Sequence, residues 1–118
     1  MSQDYLKNMY EFSYAECAKT SLIVLAKIIE RFADKNLDQQ IAIKDCMKWI
    51  FELFGAEIRR TAHISTKSYL EHAYERLEES QKHFERAEID EALLMLTKAI
   101  SSATTQASRA LEAIEREV

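Results

Sequence analysis

The sequence predicts an all-α fold, in which residues 1–118 form a single four-helix antiparallel bundle with up-down-up-down order. The chain of 118 residues contains no Pro and one Gly, whereas strand proteins need these residues in their many turns. Apolar side chains recur every three or four positions in four long segments, which is the spacing of one helical face. Short links separate the segments, so each helix must fold back on its neighbour.

The first helix is predicted from about residue 3 to residue 33, capped by Ser2 or Asp4. Ile23, Val24 and Ile28 lie off its regular apolar seam. A helix that is apolar nearly all round is buried on more than one side, so we expect this middle part to contact several helices or a second subunit. The seam itself consists of Ala15, Ala18, Leu22, Leu25, Ile29 and Phe32 or Ala33.

Residues 34–38 form the predicted first link, in which Asn36 adopts a left-handed conformation and Asp38 caps the next helix. The second helix then runs from about residue 39 to residue 62. Gly55 costs a helix about 1 kcal/mol relative to Ala, so we expect it to mark a bend or a close backbone contact. The inward residues are predicted to be Ile43, Met47, Ile50, Phe54 and Ile58, with Trp49, Phe51 and Leu53 widening the face.

The third helix is predicted over about residues 67–86, where Ser68 and Glu71 have the spacing of a capping box. Its inward residues are Leu70, Ala73, Tyr74, Leu77 and Phe84. Residues 88–90 form the last link, with Asp90 as the cap of the fourth helix. That helix extends to about residue 116 on Leu93, Leu96, Ile100, Ala103, Ala107, Leu111 and Ile114.

The fourth helix contains an unusual run of small side chains, KAISSATTQASRAL. Ala99, Ala103, Ala107 and Ala110 fall on one side of it. Because side-chain size sets the distance between packed helices, these methyl groups predict a close partner. The partner is either a bulkier helix of the same chain or the same helix of a second copy in a homodimer.

The composition restricts the functional classes. A net charge of −4 argues against a surface devoted to nucleic acid, since phosphate binding relies on concentrated Lys and Arg. Cys17 and Cys46 lie in apolar stretches and are predicted to be buried reduced thiols, which favours a cytoplasmic protein, as does the mixed N-terminus without a secretory signal. The longest apolar run is far shorter than the ~20 residues of a membrane span, so no membrane partner is expected.

One stripe on the third helix raises the question of metal binding. His72, Glu75, Glu79 and His83 share one helical face, and two histidines with two carboxylates could hold a divalent metal. The stripe lies opposite the predicted apolar seam, however, so we interpret it as a solvated charged face. No histidine follows a Glu by three positions, as a ferritin-like di-metal bundle requires, and one Gly cannot make a phosphate-binding loop. We therefore expect no metal, no cofactor and no catalytic residue.

The segment EIRRTAHISTK gathers Arg59, Arg60, His63 and Lys67 at the turn between the second and third helices. This local positive charge beside a helix start favours anions. Together with YLEHAYERLEESQKHF, EIDEAL and KAI in the second half of the chain, it resembles the HEPN superfamily of small helical bundles, whose members pair an Arg with a His and often act on RNA. The family's motif has four to six residues between Arg and His, whereas Arg59 and Arg60 precede His63 by fewer.

These patterns favour a non-enzymatic interaction or assembly module, most simply a homodimer or otherwise a module that binds another helical protein. The predicted contact surfaces are the alanine face of the fourth helix and Ile23, Val24 and Ile28 of the first. Two alternatives remain open at this point: an RNA- or nucleotide-acting bundle that uses Arg59, Arg60 and His63, and a carrier of an apolar ligand between the helices.

Overall fold

The computed structural model describes residues 3–117, and these form four helices without a strand. The helices are α1 (Gln3–Phe32), α2 (Leu37–Ile64), α3 (Tyr69–Glu85) and α4 (Ile89–Glu117). The links between them are three or four residues long, and α4 packs against both α1 and α3. The predicted all-α four-helix bundle is thus confirmed.

The helices share the core unequally. α4 makes the most extensive contacts, with α1 and with α3, whereas α2 packs mainly on α3 and more sparsely on α1. Within the described part of the chain α2 and α4 lie diagonally and do not contact each other. None of the four helices has a stretch long and apolar enough to cross a bilayer, so far as residues 3–117 are concerned.

The core follows the predicted seams of α1 and α3 closely. Phe32 stacks edge-on against Phe84 with ring centroids 5.2 Å apart, and Phe51 lies 6.1 Å from Phe84, so three helices meet in one aromatic cluster. Ala33, the alternative end of the first seam, is exposed. The buried seam residues of the two helices are Ala15, Ala18, Leu22, Leu25, Ile29, Phe32, Leu70, Ala73, Leu77 and Phe84.

The start of α2 differs from its prediction. Asn36 has an extended rather than a left-handed backbone (φ −72°, ψ 171°) and is itself the cap. Its Oδ1 accepts a hydrogen bond from the Gln39 backbone N–H at 2.9 Å, while Gln39 Oε1 accepts one from the Asn36 N–H at 3.2 Å. This reciprocal capping box leaves Asp38, the predicted cap, in the first helical turn.

The ends of α3 also differ. Ser68 precedes α3 without a side-chain capping bond, so the predicted capping box with Glu71 does not form. At the other end, the Glu88 N–H donates to the His83 carbonyl at 2.9 Å and the Ala87 N–H to the Phe84 carbonyl at 3.0 Å. This Schellman arrangement puts Ala87 in the left-handed region (φ 62°), a position that usually takes glycine. α4 then starts at Ile89, and Asp90 lies in its first turn.

The inward face of α2 was predicted only in part. Met47, Phe51 and Ile58 are buried, whereas Trp49 and Leu53 are 68% and 66% exposed. Gly55 is buried against α3, and a Cβ built there would lie 3.6 Å from Leu77 Cδ2, an ordinary van der Waals distance. The site therefore has room for a methyl group, and the expected bend or close backbone contact at Gly55 is not shown.

Candidate functional site

The alanine face of α4 lies inside the chain. Ala99 and Ala103 are 0% exposed, and Ala107 and Ala110 are 4% and 5% exposed. A surface so completely covered by the chain's own helices is not available to a second copy. The structure therefore selects the intramolecular alternative, in which methyl groups let α1 and α3 approach α4 closely, and the predicted interface at these four residues is corrected.

The apolar middle of α1 is only partly available to a partner. Val24 is 42% exposed, whereas Ile23 and Ile28 are half-buried and Ile28 packs against the core cluster. Cys17, predicted to be buried, is exposed on the same helix. The apolar residues around the middle of α1 therefore pack largely within the bundle, and Val24 is the one of these three that is exposed.

Three of the four basic residues between α2 and α3 line one groove of about 610 Å³, together with Glu52 and Glu78: Arg59, Arg60 and His63. Arg59 and His63 also line a groove of about 470 Å³ between the same helices, and the Arg59 guanidinium lies 5.7 Å from the ring centroid of Tyr74. The Arg60 guanidinium donates to Glu57 at 2.6 Å, a bond that lowers the pKa of the Glu57 carboxyl. Lys67 lines a different cavity.

The electrostatics of the smaller groove are mixed. Glu71, Glu75 and Glu78 line it together with Arg59 and His63. Three carboxylates repel a phosphate backbone, which needs an excess of cations. The structure thus brings Arg59, Arg60 and His63 together but not Lys67, and the expected anion or RNA site at these four residues stays a prediction.

The histidine stripe of α3 is a charged surface. His83 Nδ1 lies 2.9 Å from Glu88 Oε1 in the link after the helix, and the Arg76 guanidinium donates to Glu79 at 3.0 Å. His72 and Glu75 are exposed. No group of three or more potential ligand residues among residues 3–117 is arranged to hold a metal ion.

A set of exposed, mostly apolar side chains with a regular helical spacing lies on α2. Its members are separated by four, three, four and three residues, which is the spacing of a coiled-coil seam. At ~100° per residue they fall within about 80° of arc, on the side opposite Met47, Phe51 and Ile58. All five are exposed. We call this set the α2 stripe: Ala42, Cys46, Trp49, Leu53 and Ala56.

The apolar surface continues beyond the α2 stripe toward α1. Ile64, at the end of α2, is 53% exposed and lies on the same side of the helix as Leu53. It shares a surface cavity of about 270 Å³ with Leu6, Tyr10 and Tyr14 of α1. Tyr10 is 58% exposed and stacks on Tyr14 with ring centroids 6.3 Å apart. Exposed side chains of α1 therefore extend the stripe at its C-terminal end.

A second, polar site lies where the α2–α3 link meets α1 and α4. The buried Glu11 carboxylate accepts hydrogen bonds through Oε1 from the Thr66 N–H at 2.8 Å and the Thr66 hydroxyl at 3.1 Å. The buried Gln106 amide donates to the Glu11 backbone carbonyl at 2.9 Å. These bonds fix the link to α1 and fix α1 to α4.

Neither of these two sites was predicted from the sequence. Glu11 precedes Ala15 by four residues, and Gln106 follows Ala103 by three. Both are therefore polar residues at positions where the helical spacing of a buried seam continues. That spacing could have indicated two buried polar side chains. The α2 stripe was missed because Trp49 and Leu53 were assigned to the core. Cys46, likewise expected to be buried, is exposed in the centre of the stripe.

The chain matches no protein-family model, no curated protein and no solved structure in the comparisons made.

Proposed function

We propose that this protein is a non-enzymatic assembly module that pairs with a second copy of itself through the α2 stripe. The observation that carries the proposal is a seam with coiled-coil spacing on the solvent side of a helix. Trp49 and Leu53, in its centre, keep about two thirds of their surface exposed, at 68% and 66%. Apolar seams with this spacing are normally buried against another helix. Contiguous exposed apolar surface is typical of interaction sites.

The distribution of residues along the stripe favours a second copy in antiparallel orientation. Trp49 lies at the centre, seven positions from both Ala42 and Ala56. A two-fold axis near Trp49 therefore places Ala42 of one copy opposite Ala56 of the other. These small side chains let the two helices approach closely, and the two indole rings meet at the axis. Such self-complementarity is the defining property of a two-fold interface.

Charge supports the same orientation. On the exposed side of α2 the first half carries Asp38 and Asp45, and the last turns carry Arg60, His63 and Glu57, of which Glu57 already pairs with Arg60. Asp38 and Arg60 are each eleven positions from Trp49. An antiparallel pair therefore sets Asp38 of one copy beside Arg60 of the other, whereas a parallel pair sets like charges together.

Apolar side chains next to the α2 stripe enlarge the surface available for pairing. Stable complexes bury about 800 Å² on each partner, more than one seam of five residues provides. The exposed side chains of Leu6, Tyr10 and Ile64 adjoin the stripe and supply further apolar area.

The proposal is tested by sedimentation equilibrium of the wild type, of Leu53→Lys and of Leu94→Lys. Leu94 is a matched control because it is 51% exposed on α4, away from the stripe. We expect the wild type and Leu94→Lys to have twice the 13.7 kDa mass of one chain and Leu53→Lys to dissociate. A central apolar residue contributes about 2 kcal/mol and occurs twice in a dimer, so the dissociation constant should rise about 1,000-fold.

A charge-reversal pair tests the orientation. Asp38→Arg should weaken the dimer because it places two cations together, and Asp38→Arg combined with Arg60→Asp should restore it. A monomeric wild type at concentrations of about 0.1 mM would contradict the proposal, as would equal dissociation of Leu53→Lys and Leu94→Lys.

A further inference from the structure

The second inference concerns the polar site at the α2–α3 end of the bundle and is independent of the α2 stripe. Glu11 is 5% exposed and Gln106 is 1% exposed. Among residues 3–117, Glu11 Oε2 and Gln106 Oε1 are buried acceptors without a hydrogen-bond partner. A buried polar atom left unpaired costs about 1–3 kcal/mol, and the cost is usually offset by a partner that the isolated chain does not supply.

The rest of each side chain is already held in place. Glu11 Oε1 accepts from Thr66, and Gln106 Nε2 donates to the Glu11 backbone carbonyl. Neither side chain can turn its unpaired oxygen away without breaking one of these bonds. Both residues line one cavity of about 230 Å³. The two oxygens are therefore fixed acceptors beneath the wall of this space, on side chains that line it.

The cavity combines two kinds of polar chemistry. The two unpaired atoms of its inner wall are both hydrogen-bond acceptors, and one of them is a carboxylate oxygen. Such a pair suits a cationic group with several N–H donors. Its rim carries Lys67, Arg109 and Arg116. One rim carboxylate, Glu112, lies 3.8 Å from Arg116, so the rim retains an excess of positive charge that suits an anionic group.

We propose that this cavity binds a small zwitterion with an ammonium group and a carboxylate, the chemistry of a free amino acid. Glu11 and Gln106 accept hydrogen bonds from the ammonium, and Arg109 with Lys67 holds the carboxylate. The volume of this cavity is below the roughly 300 Å³ at which pockets for drug-sized ligands begin. Its size therefore restricts the ligand to molecules as small as a free amino acid.

Binding requires a movement at the rim. Each of the two unpaired oxygens exposes less than 1 Å², so an ammonium reaches them only when a rim side chain shifts. Lys67, Arg109 and Arg116 are exposed, and their long side chains change rotamer on a nanosecond timescale. The backbone of the site stays in place.

The test titrates the ¹⁵N-labelled full chain with each of the common L-amino acids, one at a time, by two-dimensional NMR. At least one should shift the Thr66 and Gln106 amide signals and raise the melting temperature by about 3–8 °C at saturation. Its N-acetylated form, which lacks the ammonium, and its carboxamide, which lacks the carboxylate, should each bind at least about tenfold more weakly.

Variants locate the site. Glu11→Gln keeps the side-chain shape but removes the carboxylate charge, so it should abolish the shifts while the chain stays folded. Arg109→Gln should weaken binding about tenfold, whereas Lys98→Gln, exposed elsewhere on α4, should leave it unchanged. The proposal is overturned if no amino acid shifts these signals, if the acetylated forms bind equally well, or if Glu11→Gln binds like the wild type. A crystal structure that shows only a water on both oxygens, with no shift from any amino acid, would also overturn it.

Discussion

Substitution of Ala103 by Glu tests how α4 is packed. Ala103 is 0% exposed within the core cluster, so a glutamate there is buried without a partner or forces the helices apart. An unpaired buried charge typically costs about 3–5 kcal/mol. Domains of this size are stable by about 0.05–0.15 kcal/mol per residue, which is about 6–18 kcal/mol for 118 residues.

The expected change is large enough to measure by thermal unfolding. An unfolding entropy of about 2.1 cal/mol/K per residue converts a loss of 4 kcal/mol into a fall of about 16 °C in melting temperature. Thr104→Glu is the matched control because Thr104 is exposed on the same helix turn, and it should change the melting temperature by less than about 2 °C. Circular dichroism at 222 nm follows both transitions.

The opposite result would refute the assignment of Ala103 to the chain's own core. If Ala103→Glu unfolded at the wild-type temperature and halved the solution mass, the alanine face would be a subunit interface. The burial of Ala99, Ala107 and Ala110 within one chain would then have to be wrong as well.

Three further substitutions test local features by the same thermal measurement. Asn36→Ala removes a capping box and should cost about 1 kcal/mol, or about 4 °C, whereas Asp34→Ala in the same link should have little effect. Gly55→Ala should stabilise α2 by up to about 1 kcal/mol, because the new Cβ meets Leu77 at an ordinary distance; a loss of stability would show that α2 and α3 cannot accommodate it. Ala87→Gly should raise the melting temperature by about 2–4 °C because it relieves a left-handed alanine (φ 62°), and an unchanged value would argue against that conformation.

The sequence was sufficient for the fold because its strongest patterns are local. On α1, Ala15, Ala18, Leu22, Leu25 and Ile29 repeat at one spacing, and every one of them is buried. Helix periodicity fixes such a face without knowledge of what covers it. The near absence of Gly and Pro then limits how the four helices can be connected.

The site residues could not be predicted in the same way because they depend on distant parts of the chain. α2 is apolar on two sides, and periodicity cannot tell which side its own bundle covers, so Trp49 and Leu53 were assigned to the wrong face. Glu11 meets Thr66 across 55 residues and Gln106 across 95 residues. No local pattern contains such pairings.

The alanine face illustrates the same distinction. Small side chains at Ala99, Ala103 and Ala107 correctly predicted a close helical partner. Their spacing contains no information on whether that partner belongs to the same chain, and only the three-dimensional arrangement of α1, α3 and α4 decides it.

Fluorescence of Trp49 across a dilution series tests the pairing of two copies through the α2 stripe most directly. Trp49 is the only tryptophan of the chain and is 68% exposed in the single copy. Burial against a second copy should give blue-shifted emission and slow acrylamide quenching at high concentration, and dilution should reverse both. Leu53→Lys should show the exposed spectrum throughout. Red emission and fast quenching of the wild type at every concentration up to about 0.1 mM would contradict the pairing of α2.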